Sequence, residues 1–92
     1  MATDQRINST DESGESVSWV PAADFIVQGQ VLPGSRARVE IHARLTIAAP
    51  WVKVETIRPD KVAFMVCRKM PEVKLVWSGN SPGDPIRAWS AE

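Results

Sequence analysis

The stretch from Arg36 to Ile47, R-A-R-V-E-I-H-A-R-L-T-I, alternates polar and apolar residues at every step. Ala37, Val39, Ile41, Ala43, Leu45 and Ile47 take one parity. Arg36, Arg38, Glu40, His42, Arg44 and Thr46 take the other. Successive side chains of a strand point to opposite faces, so the segment reads as one long strand with an apolar stripe on one side. An α-helix would scatter the same residues around its axis. At about 3.3 Å per residue a straight strand of this length reaches about 40 Å, long for a small domain. The expectation is a strong bend near Ala43 or a projecting arm.

Turn signals divide the rest of the chain at short intervals. Leu32-Pro33-Gly34-Ser35 has Pro and Gly where a type II turn prefers them, and Arg58-Pro59-Asp60-Lys61 has Pro second in a tight turn. Pro21, Pro50 and Pro71 mark further breaks, and Gly79 to Pro85 is a loop. The strands predicted between them are 17–20, 24–32, 36–47, 51–57, 61–68, 73–78 and 86–90. Short strands at regular spacing predict an all-β fold, a small antiparallel sandwich or barrel of about six to seven strands. No segment reads as a helix. The region 61–70 competes, because Lys61 to Val66 is an apolar run, but it is short, contains Val, Phe and Val, and is bounded by prolines.

Residues 1–16 contain a single large aliphatic side chain beyond Met1, Ile7, and otherwise mostly Ser, Thr, Asp, Glu and Asn. A segment of that composition has little apolar surface to set against its ordering entropy. It is expected to be a disordered acidic tail, leaving residues 17–92 as one β-rich domain. The whole chain is formally neutral. Residues 1–16 sum to −3 and residues 36–74 to +5, so an acidic tail precedes a mildly basic body.

Chemistry-bearing residues are few: one His, one Cys and no Tyr in 92 residues. A lone cysteine excludes an internal disulfide, and no Cys/His cluster has zinc-ligand spacing. No metal or other cofactor is expected. Cys67 lies in an apolar run without the electropositive surroundings that lower a thiol pKa, and His42 lies on the polar parity of its strand. No Gly-rich phosphate loop is present. The expectation is a non-catalytic protein. No apolar run approaches a membrane span and the N-terminus has no apolar signal core, so a cytoplasmic location is expected, or a host-cell interior for a viral chain.

Two binding surfaces are suggested. Strand 61–68 is apolar on both parities, Val62, Phe64 and Val66 on one and Ala63, Met65 and Cys67 on the other, which demands cover on both faces: a central position in the sandwich or a subunit interface. A small core has little material to supply that cover, so Ala63, Phe64, Met65 and Cys67 are candidates for an oligomer interface. The expected function is an interaction or structural module that self-associates or binds a protein partner; a viral or phage accessory or structural protein would be such a chain. The alternative is an OB-like or SH3-like nucleic-acid binder. Its candidate residues are Arg36, Arg38, His42, Arg44, Trp51 and Lys53, with charges tracking phosphates and a ring stacking on bases.

Overall fold

A computed structural model describes residues 3–92, and every described regular element is a strand. The strands are β1 (Thr3–Ser9), β2 (Gly14–Glu15), β3 (Phe25–Val31), β4 (Arg38–Arg44), β5 (Val52–Ile57), β6 (Phe64–Cys67), β7 (Glu72–Ser78) and β8 (Ile86–Ala91). They form two four-stranded antiparallel sheets, ordered β1-β8-β3-β6 and β2-β7-β4-β5. First pairs with last, second with seventh, third with sixth and fourth with fifth. That nesting is the strand order of a jelly roll, an eight-stranded sandwich built from Greek keys. It differs from the five-stranded barrel of an OB fold.

The interior follows the period-two pattern. Val39, Ile41 and Ala43 of β4, Val73, Leu75 and Trp77 of β7, Phe25 and Val27 of β3, and Ile86 and Ala88 of β8 all turn inward and are buried. Their neighbours of opposite parity face out. The turn chemistry also holds. Ser35 N–H donates to the Leu32 carbonyl at 3.0 Å with Gly34 at φ 80°, a left-handed position that suits glycine at the third residue of a type II turn. Lys61 N–H donates to the Arg58 carbonyl at 2.9 Å around Pro59.

Three expectations are corrected. The N-terminal segment is not a tail among the described residues: β1 lies along β8 and β2 along β7. Ile7 is 2% exposed and belongs to the core. The hydroxyl of Ser16 accepts from Leu75 N–H, and the Asp11 carbonyl accepts from Trp77 Nε1 and Asn80 Nδ2. Polar composition did not prevent order because β8 and β7 offer open edges, and a backbone ladder is indifferent to side-chain polarity.

The long strand neither bends nor projects. β4 ends at Arg44, and residues 45–49 turn, with Ala49 N–H donating to the Thr46 carbonyl. Leu45 and Ile47 leave the apolar stripe and stand 75% and 83% exposed. Likewise the segment 17–20 makes only a bridge, Trp19 to Val73, rather than a strand.

The third correction concerns β6, which is the outermost strand of its sheet rather than a central one. β5 occupies the same flank in the opposite sheet, and side chains of both strands line the shallow crevices between them. The sandwich is therefore open along its β5–β6 side.

Candidate interaction surface

The basic strand face is present, and its β4 cations are paired with carboxylates. Arg38, Glu40, His42 and Arg44 point outward from β4. Glu40 takes His42 Nε2 at 3.0 Å and lies 3.9 Å from Arg38 Nε. Glu72 of β7 takes Arg44 in a two-point contact, Nε at 2.7 Å and Nη2 at 3.2 Å, and also accepts from the Ser18 hydroxyl. The His42 hydrogen bond holds the Glu40 carboxyl below its ordinary pKa, and the Arg44 and Ser18 hydrogen bonds do the same for Glu72.

Trp51 is half-buried beneath cations, with Arg44 Cζ 4.3 Å and Lys74 Nζ 4.6 Å from its ring centre. Lys74 in turn binds Glu15 at 2.9 Å. The exposed ring expected for base stacking is thus already engaged. Arg36 and Lys53 are exposed and make no ion pair among the described residues. Sequence reading found Arg44 and Trp51 but not Glu15, Ser18, Glu72 or Lys74. Their contacts join residues 28 positions apart in the Arg44–Glu72 case and 59 in the Lys74–Glu15 case.

His42 and Cys67 are not brought together. His42 lies on the outer face of one sheet, whereas Cys67 is buried facing the interior of the other. Burial, with a smaller contribution from Glu55, pushes the Cys67 thiol up to about 11.

On the open flank the two parities of β6 part company. Cys67 is buried, Met65 is half-buried against the core, and the half-buried Ala63 lends its carbonyl to Gly29 N–H at 2.9 Å. These three interface candidates turn toward the protein's own interior. The fourth, Phe64, faces solvent at 59% exposure, and beside it Val66 reaches 77%. Val62 is exposed just before the strand, and the exposed Val54 of β5 shares a crevice with Val66. A parity signal for this was present in the chain: a lone cysteine is among the most buried residue types, so placing Cys67 inward sends Phe64 and Val66 outward.

The phase of the ladder sets what β6 leaves free. Phe25, Ile26, Val27 and Gln28 oppose Cys67, Val66, Met65 and Phe64 in unbroken register. The Gly29–Ala63 hydrogen bond extends that register and marks its hydrogen-bonded pairs, which alternate. Ala63, Met65 and Cys67 therefore aim their backbone groups at β3. Phe64 and Val66 aim theirs at the empty side.

The other three sheet edges carry protection. β1 is polar and bulged between Gln5 and Ile7; β2 has two residues; β5 skips Val54 in its register and carries Lys53 and Glu55. Bulges, charges and brevity are the usual means of blunting an edge. Apart from its own shortness β6 has none of them: Phe64-Met65-Val66-Cys67 is uncharged, regular and free of proline. The chain matches no protein-family model, no curated protein and no solved structure.

Proposed function

We propose that this chain is a non-catalytic, self-associating interaction module whose contact surface is the β5–β6 flank. The observation that carries the reading is the exposed apolar margin of Val62, Phe64 and Val66, with Val54 across the crevice, beside the unprotected β6 edge. Contiguous exposed apolar surface beside open backbone groups is what an association site requires and what a monomer ordinarily avoids. The jelly-roll order itself does not choose a function, since capsid, lectin and cupin domains share it.

The non-catalytic part of the proposal draws support from the side chains with most chemical potential. Cys67 is held as a buried neutral thiol and His42 is committed to Glu40. A nucleic-acid role for the β4 face has less support, because Glu40, Glu72 and Glu15 already occupy its cations. The test is light scattering after size exclusion, with sedimentation equilibrium across micromolar to millimolar protein. A concentration-dependent rise above monomer mass is expected. A strictly monomeric chain over that range overturns the reading.

A further inference from the structure

We infer that two copies join through β6 itself, paired antiparallel with its symmetry mate about a two-fold axis passing beside Met65. The inference rests on the self-association reading and specifies its geometry. Four features of the strand carry it: the direction of its free backbone groups, the spacing of those groups, the character of its side chains, and the protection of every other edge.

Within β6, Phe64 and Val66 present both N–H and C=O to the open side. They are two residues apart, with Met65 between them. In an antiparallel pair centred on Met65, Phe64 of one copy stands opposite Val66 of the other, and the reverse. Each such pair exchanges both of its hydrogen bonds, so every free group on the edge finds a partner. The match needs no second surface, because a two-fold contact uses the same patch twice. It also preserves facing. Directly opposed residues share a face in a sheet, so Phe64 and Val66 of the two copies lie together on the outer side, and the two Met65 side chains lie together on the inner side.

The second copy is favoured over a foreign strand by this self-complementarity and by the absence of charge from Val62 to Cys67. No like charges are placed opposite one another within the paired residues. The cations Arg58, Lys61, Arg68 and Lys69 flank the strand and form no ion pair among the described residues. In a pair centred on Met65, Lys61 of one copy falls at the level of Lys69 of the other at each end of the contact, so added salt should strengthen the dimer rather than weaken it.

The product is one continuous sheet, β1-β8-β3-β6 joined to its copy. On the outer face the existing rows are extended. Phe64 already lies beside Gln28, which lies beside Trp89; Val66 lies beside Ile26, which lies beside Ala91. Pairing Phe64 with the other copy's Val66 links these rows into one band across the dimer. Met65 falls at a non-hydrogen-bonded pair, where opposed Cα atoms are about 4.5 Å apart. That spacing lies within disulfide reach.

Two measurements test the geometry. In the double variant Met65→Cys, Cys67→Ala, mild oxidation should give a covalent dimer; Val52→Cys, Cys67→Ala, with its thiol on β5, should give none. In the wild type, amide exchange at Phe64 and Val66 should slow as protein concentration rises, while Met65, bonded to β3, stays protected throughout. Val66→Pro removes a free-edge N–H without touching the β3 ladder and should leave a folded monomer. A wild type that associates without cross-linking at position 65, and without concentration-dependent protection at Phe64 and Val66, refutes the β6 pairing yet leaves self-association standing. A wild type that is monomeric at millimolar concentration refutes both.

Discussion

Replacing Ile7 with alanine tests the integration of the N-terminal segment into the fold. Ile7 is the one large apolar side chain that β1 sends inward, and it is 2% exposed opposite Ala88. The substitution removes about three buried carbon groups, worth roughly 0.8 kcal/mol each in transfer free energy, or about 2.4 kcal/mol. A cavity term adds to this, within a usual span of about 2–5 kcal/mol for Ile→Ala. β1 is an edge strand with a bulge next to the site, so partial collapse is available and the expected loss lies near about 3 kcal/mol. In a domain of this size each kcal/mol lowers Tm by roughly 4–8 °C, so the expected drop is about 12–24 °C. Urea titration followed by tryptophan fluorescence gives the free energy, and thermal circular dichroism gives Tm. A disordered or frayed β1 would behave as surface, within about 0.5 kcal/mol. That result, with an unchanged Tm, would refute the placement of β1. Deleting residues 1–15 should do greater harm, since it strips both β1 and β2 from their sheets.

Other substitutions separate the two faces of the sandwich. Ile41→Asp puts a carboxylate into the fully buried interior and should abolish cooperative unfolding, whereas Arg38→Asp on the exposed parity should stay within about 0.5 kcal/mol; equal damage from both in a urea series would contradict the facing of β4. Glu72 and Glu40 have folded pKa values below the ordinary 4.5, so they stabilise the fold above that pH, and the contribution is lost as pH falls from 4.5 through the lower folded values. Glu72→Gln should therefore flatten the acid limb of a Tm-against-pH curve, and an unaltered slope would count against the Arg44–Glu72 contact. Cys67, raised to about 11 by burial, should react with a disulfide reagent at neutral pH only as fast as the fold opens; immediate labelling of the native protein would contradict its burial.

Much of the strand content and facing follows from residue order alone. Side-chain parity is a local property of extended backbone, so the alternation around Val39, Ile41 and Ala43, and around Val73, Leu75 and Trp77, identifies inward residues without knowledge of the neighbours. Pro33-Gly34 and Pro59 mark turns for equally local reasons, fixed φ and a tolerated left-handed residue. What parity does not contain is which strand lies beside which. Leu45 and Ile47 continue the alternation but lack a partner strand, and so the stripe extends past the strand that uses it.

The tertiary structure decided the rest through contacts between distant residues. β1 is ordered because β8, some eighty residues later in the chain, offers it an edge. Arg44 and Lys74 are paired because Glu72 and Glu15 arrive from β7 and β2. β6 is an edge because the nested pairing ends with it, so the cover its apolar parities call for is supplied on one side only. Local sequence sets how a backbone extends and which way its side chains alternate. Edge or centre, paired or unpaired, depends on long-range ladders whose hydrogen bonds carry no trace in the strands they join, because backbone donors and acceptors are the same at every residue but proline.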